Sequence, residues 1–93
     1  MTYNITNYTY KQANLLGVKV FPSENKKYKL DVYDLNGNYI TSVGALGYKD
    51  YPTYINEKGI EYAEKRRRLY KLRHNKDRHL KYSKGWFADK LLW

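Results

Sequence analysis

Lys27-Tyr28-Lys29-Leu30-Asp31-Val32-Tyr33-Asp34-Leu35-Asn36-Gly37-Asn38-Tyr39-Ile40-Thr41-Ser42-Val43 consists of two alternating runs on either side of Asn36-Gly37. Alternation with period two is the mark of a strand with one buried face, and Asn-Gly is the dipeptide best suited to the positive φ angles of a type I′ turn. The stretch therefore predicts a β-hairpin. With Asn36 and Gly37 as its two loop residues, pairing outward sets Val32 opposite Thr41, Leu30 opposite Val43 and Tyr28 opposite Ala45. Those six residues share a face with Tyr39, and that face is expected to be buried. The other face would carry Lys29, Asp31, Tyr33, Ile40 and Ser42, of which Tyr33 and Ile40 keep it partly apolar.

Upstream, Asn7 to Leu16 predicts a short helix with Asn7 as its cap. Tyr10, Ala13 and Leu16 would lie on one side, and Gly17 would stop it. Val18 to Phe21 alternates as a short strand ending at Pro22, before a polar turn from Ser23 to Lys26. Downstream, a Gly44-Ala45-Leu46-Gly47 loop and a turn-like Tyr48 to Pro52 lead to Thr53, which can cap a short helical turn broken at Gly59. The main helix is expected from Ile60 to Asn75, rich in good helix formers. The acid-before-base pairs Glu61–Lys65 and Glu64–Arg68 support it at i, i+4. Lys76 to Lys84 reads as irregular, and Gly85 to Trp93 as a short apolar helix docked on the core. The expected fold is a single α+β domain over 1–93: a short N-terminal helix, a small antiparallel sheet with the Asn-Gly hairpin, and a basic C-terminal helix packed on it.

A chain of 93 residues can bury one modest core. Without cysteine there is no disulfide framework, no Cys-ligated zinc and no thiol nucleophile. Met1 to Tyr10 has neither a positive n-region nor an apolar h-region, so no signal peptide is expected. The nearest apolar run, Ala13 to Phe21, contains Asn14 and Lys19 and falls short of the roughly 18–20 residues of a membrane span. The formal charge is +9 and the pI about 9.7, a balance that normally meets an anionic partner. The charge is concentrated late. Residues 1–57 carry six Lys and Arg against five Asp and Glu, whereas 58–93 carry twelve against four.

On a helical wheel the main helix places Tyr62, Ala63, Leu69 and Tyr70 in one broad stripe, with Arg66 and Arg73 inside it. Two arginines seven residues apart beside tyrosines could clamp a phosphate or carboxylate. Alternatively their stems cover apolar surface while their heads reach water or pair with Asp31, Asp34 or Asp50. Arg67, Arg68, Lys71, His74, Lys76, Arg78, Lys81 and Lys84 spread around the rest of the helix and its tail. That distribution suits a phosphate backbone, which rewards each neutralised phosphate with counterion release. Tyr70 and Tyr82 are the nearest aromatic contacts. With twelve tyrosines, those at positions 8, 10, 48, 51 and 54 are too many for so small a core, and some are expected at a partner. Changing Arg67, Arg68 and Lys71 together to Ala would weaken binding to all sequences alike.

Enzymatic and metal signals are weak. His74 and His79 with Asp77 between them are not spaced to share a helical face and have no third strong ligand, so no metal site is expected, nor any cofactor. Gly44 to Gly47 matches the GxxG that KH domains use on a nucleic-acid backbone, but it follows a strand instead of joining two helices. Asp31-Val32-Tyr33, Tyr39-Ile40-Thr41 and Arg73-His74 faintly resemble the strand tyrosines and helix arginine of GIY-YIG nucleases. Both tripeptides lack glycine, the hairpin is too tight, and no later glutamate stands as a metal ligand. No Walker A, HExxH or GxSxG motif occurs. The chain is expected not to be an enzyme.

Three stretches carry a further resemblance: Gly47-Tyr48-Lys49-Asp50-Tyr51-Pro52, then Glu64-Lys65-Arg66-Arg67-Arg68-Leu69-Tyr70-Lys71-Leu72-Arg73-His74, and Gly85-Trp86-Phe87-Ala88-Asp89-Lys90-Leu91-Leu92-Trp93. In these the chain resembles a group of small basic proteins of large double-stranded DNA viruses and environmental phages. The resemblance implies a viral origin, a place in the virion or the infected cell, and Trp93 as a natural C-terminus with its ring anchored. Combined with the charge, it leads to the expectation of a non-enzymatic protein that binds nucleic acid, with DNA ranked ahead of RNA and RNA left open. Its candidate contacts are Arg66, Arg67, Arg68, Tyr70, Lys71, Arg73, His74, Lys76, Arg78 and Tyr82. The competing expectation is a minor capsid or cement component that fastens acidic protein surfaces of a viral assembly through Tyr and Arg.

Overall fold

The computed structural model describes residues 3–93; Met1 and Thr2, the start of the segment read for a leader, lie outside the described residues. The class is α+β, with an N-terminal helix, a three-stranded antiparallel sheet and C-terminal helices. The chain forms two compact units, Met1–Tyr48 and Lys49–Trp93. No helix among the described residues is long and apolar enough to cross a membrane.

The first unit opens with α1, Asn7–Leu16. Its cap is Thr6 rather than Asn7: Thr6 keeps an extended backbone and its hydroxyl accepts from the Thr9 amide at 3.3 Å, while Asn7 is already the first helical residue. Gly17 closes the helix, and Val18 N–H returns to the Ala13 carbonyl at 3.0 Å. Thr9 and Ala13 are buried. Strands β1 (Lys19–Pro22), β2 (Tyr28–Tyr33) and β3 (Tyr39–Ala45) follow as a meander in the order β1-β2-β3.

The hairpin register matches the expected pairs Val32–Thr41, Leu30–Val43 and Tyr28–Ala45, although the turn is not the expected one. Asn36 keeps a negative φ; Gly37 alone is positive, at +90°. Gly37 N–H donates to the Asp34 carbonyl at 3.1 Å, and Asp34 N–H to the Asn38 carbonyl at 2.9 Å. The Asp34 carboxylate meanwhile takes the Asn36 and Asn38 amides, both at 2.9 Å. This is a longer loop ending in a glycine bulge. Pairing therefore begins one residue out of step, with Tyr33 opposite Tyr39, and a second irregularity before Val32–Thr41 absorbs Ile40 and restores the register. Two departures of one residue cancel.

Their lasting effect is on Tyr39. Instead of sharing the buried face, it joins Tyr33 on the other one, ring centroids 5.7 Å apart, and is exposed. Val20, Leu30, Val32 and Val43 form the buried face, each worth about 1.5–3 kcal/mol relative to exposure. The opposite face is less open than its polar sequence suggests. Lys29 is 4% exposed, its ammonium over the Tyr3 ring. The Ser23 and Ser42 hydroxyls both donate to Asp31 Oδ1 at 2.6 Å. Burial pushes the Asp31 carboxyl up, but those two hydroxyls and the Glu24 amide outweigh it and hold the group below its ordinary range.

The second unit is three helices. Helix α2, Tyr51–Lys58, is capped by Asp50 rather than Thr53. Thr53 is instead the donor, giving Asp50 Oδ1 its amide at 3.1 Å and its hydroxyl at 2.6 Å. Gly59, at φ +90° and ψ 168°, breaks the chain direction as expected, and α3 runs from Ile60 to Arg73, ending two residues short of Asn75. After an irregular stretch, Ser83 caps α4, Lys84–Leu92. Phe87, Leu91 and Leu92 of α4 are buried, with Ala63 and Tyr70 of α3.

Candidate nucleic-acid interface

Helix α3 forms because Ala, Glu, Lys, Arg and Leu lose little on becoming helical. Glu61 in its first turn and Lys71 and Arg73 in its last complement the helix dipole. Ala63 and Tyr70 fix which side faces inward. Tyr62 and Leu69, expected in the same stripe, are instead at its margin and exposed.

The basic residues divide sharply by what they touch. The Arg66 guanidinium lies 5.5 Å from the Tyr54 ring centroid and that of Arg67 4.4 Å from Tyr51, so two arginines of α3 cover two tyrosines of α2. The Tyr51 hydroxyl donates to Glu64 Oε1, which also accepts from Arg67 Nη1 at 3.3 Å. That hydroxyl first, and Arg67 with it, hold the Glu64 carboxyl below its ordinary range. Arg66 and Arg73 form no clamp: Arg66 is half-buried on Tyr54, whereas Arg73 is exposed. Asp31 and Asp34, two of the carboxylates named as alternative partners, accept hydroxyls and loop amides within the first unit.

Lys71 and Arg78 converge on a carboxylate that the sequence reading passed over. Asp89, its side chain 1% exposed, receives Lys71 Nζ at 2.8 Å on Oδ1 and has Arg78 Nη1 4.0 Å from Oδ2. Arg78 Nε also donates to the Lys71 carbonyl at 3.2 Å. This tie joins α3, the following loop and α4. An acidic residue in the second turn of α4, between Phe87 and Leu91, was the available signal. Beside it Tyr70 stacks on Trp93, centroids 4.3 Å apart and planes within 7°, and on His74 at 4.4 Å. Burial, and then the charges of Asp89 and Asp77, push the Tyr70 phenol up to about 12. Tyr70 is thus a packing residue and is not presented to a ligand. The same stack anchors the Trp93 ring, as expected.

His74 Nδ1 lies 3.2 Å from Asp77 Oδ2, and His79 Nε2 3.2 Å from Asn75 Oδ1; among the described residues no group of three His, Asp or Glu could hold a metal ion. Arg68, Arg73 and Lys76 are exposed and form no ion pair among the described residues. Lys65 joins them on the outer side of α3. The wheel could have found it, since it lies between Arg68 and Leu69 in angle. Tyr82 is 64% exposed, with φ +68° and Lys81 over its ring. Gly44 to Gly47 closes β3 and has no helix on its near side. Of the five tyrosines too many for the core, Tyr10 and Tyr48 are exposed, Tyr51 is buried, and Tyr8 and Tyr54 are half-buried.

No protein family, no curated protein and no solved structure matches the chain.

Proposed function

We propose that the second unit binds nucleic acid through its phosphates, without catalysis, with DNA as the first candidate. The observation that supports this is the outward set Lys65, Arg68, Arg73 and Lys76, exposed cations with no ion pair among the described residues. Tyr82 offers an exposed ring that can stack on a base. Arg66, Arg67, Lys71 and Arg78 contribute to the field but are held by intramolecular partners, and His74 is taken up by Asp77. In the viral setting that the sequence resembles, the protein would act in the virion or the infected cell.

Fluorescence anisotropy with single- and double-stranded DNA over a salt series tests the reading. Binding should fall linearly on a log–log plot. Replacing Arg68, Arg73 and Lys76 with Ala should weaken all sequences alike and shallow the duplex slope by about 0.9 for each lost phosphate contact. No binding at low salt, or an unchanged slope in the triple variant, refutes it. A second reading, a virion component that fastens larger subunits, is supported by Tyr10, Tyr39 and Tyr48, all exposed on the first unit. Aromatic rings of that kind are common anchors at protein interfaces.

A further inference from the structure

Phosphate binding leaves one property of α3 unexplained. Away from α2 and α4 it carries large apolar groups as well as cations: Leu69 is 45% and Leu72 70% exposed, and Tyr62, at the margin with its ring 5.5 Å from that of Tyr54, is still 41% exposed. A phosphodiester backbone would neutralise the arginines and leave these side chains in water.

The spacing is regular. Tyr62, Lys65, Leu69 and Leu72 follow one another at three, four and three residues, the rhythm of the first and fourth heptad positions that form a helix-packing seam. The positions flanking that seam are Glu61 and Arg68 on one side and Arg66 and Arg73 on the other; Arg66 is held on Tyr54, which leaves Arg68 and Arg73, one on each flank, where a second helix would place its own charged residues. Two copies of α3 packed on this seam would balance Glu61–Arg against Arg–Arg pairs on the flanks, but would bury the Lys65 ammonium of each copy in the contact with no carboxylate beside it, so a second copy of the chain is a poor occupant. A bilayer asks for leucines and cations in any arrangement that faces it; confinement to one seam with cations on both flanks is what a helix reads.

We propose that the outer face of α3 is a docking site for an acidic amphipathic helix of a partner protein. Leucine-type residues of that helix would pack on Tyr62, Leu69 and Leu72, and its carboxylates would meet Lys65, Arg68 and Arg73. Fourteen residues of α3 present about three turns of seam, enough for a modest, reversible complex. The proposal does not depend on nucleic-acid binding, although such a helix would compete with DNA for Arg68 and Arg73.

The probe is a synthetic peptide about three heptads long, with leucine at the first and fourth heptad positions and glutamate on both flanks, so that it resists pairing with itself. A control peptide has the same composition in scrambled order. Isothermal titration with the full chain should show the patterned peptide binding about tenfold or more tightly than the scrambled one. Leu69→Ser with Leu72→Ser should abolish that preference while DNA binding stays unchanged, and circular dichroism should confirm the helix content of the variant. Equal binding of both peptides overturns the proposal, because it would reduce the face to charge alone. No binding of either overturns it too, as does a leucine-dependent affinity for phosphatidylglycerol vesicles without peptide binding, which would make the face a membrane surface. Loss of DNA binding by Arg68→Ala, Arg73→Ala and Lys76→Ala bears on the function proposed above and leaves the leucine result standing.

Discussion

Gly85 stands in the first turn of α4, where a glycine-to-alanine exchange ordinarily helps. In an open helical position the exchange gains about 1 kcal/mol, because alanine has less backbone freedom to lose. Here the space is taken. A Cβ on Gly85 would stand 2.9 Å from the Asp77 carbonyl carbon, 3.3 Å from its Cβ, and closer still to its oxygen. Asp77 cannot easily withdraw, since its own N–H and that of Arg78 both donate to the His74 carbonyl, at 3.2 and 3.1 Å. On the other side Ser83 holds the start of α4 through the Trp86 amide at 3.2 Å. Forcing a methyl group into a closed site costs about 1–3 kcal/mol, and more where the obstacle is backbone. Set against the propensity gain, Gly85→Ala should lose roughly 1–2 kcal/mol net. For a chain of this size each kcal/mol is about 4–8 °C in melting temperature. Thermal unfolding followed by far-ultraviolet circular dichroism gives the answer, with urea denaturation to check that the m-value is unchanged. A melting temperature equal to or above that of the parent would refute the close approach of the 77–78 turn to α4.

Asp89→Ala should cost about 2–3 kcal/mol by urea denaturation, less than the roughly 3–5 of a fully enclosed pair because Lys71 and Arg78 keep some contact with water. Gly37→Ala meets no atom within 4 Å, so its expected loss of about 1 kcal/mol measures only the positive φ of the hairpin loop; an unchanged denaturation midpoint would show that the loop relaxes. Tyr70 titrates at about 12 in the folded protein against 10.0 ordinarily. Because the folded value is raised, its contribution to stability is complete below pH 10 and disappears as the pH rises towards 12, and Tyr70→Phe should flatten the alkaline fall in urea midpoint. At the acid end Asp31, Asp34 and Glu64 are all held below their ordinary values. Their contribution is present above pH 4.5 and is lost as the pH falls through the lowered values, so the urea midpoint should drop there.

Periodicity made the secondary structure legible because each element announces itself over several residues. Val32–Thr41 pairing follows from alternation alone, and a one-residue error would have put Leu30 and Val43 on opposite faces. What alternation could not show was the path of the turn. Asp34 supplies a carboxylate to two loop amides, which favours a longer loop over the two-residue turn that Asn36-Gly37 suggests, and Ile40 pays back the extra residue. Tyr39 changes face as a result. The helix caps moved by the same logic: Thr6 and Asp50 outcompete the neighbours Asn7 and Thr53, a choice made by φ and ψ that composition does not reveal. In the candidate interface, charge sign was legible and charge availability was not. Whether an arginine faces water or a tyrosine depends on where α2 runs, and that is a property of the packing across Gly59.

Net charge therefore overstates what this protein can offer a ligand, and the difference decides which variants are informative. Arg67, Arg68 and Lys71 are neighbours in sequence, and replacing all three looks like a clean removal of positive charge. In the structure they have three different roles: Arg67 covers Tyr51, Lys71 neutralises the buried Asp89, and Arg68 is exposed and without an ion pair among the described residues. The combined variant would lose α2–α3 packing and the α3–α4 tie along with one available cation, so weaker DNA binding could follow from partial unfolding. Arg68, Arg73 and Lys76 avoid that confusion, since none of them forms an ion pair among the described residues and Arg68 acts on the exposed Glu64 only at longer range. If binding falls in this second set at unchanged melting temperature while Lys71→Ala alone lowers stability, ligand contact and internal bracing have been separated, and the charge of the second unit has two distinct uses.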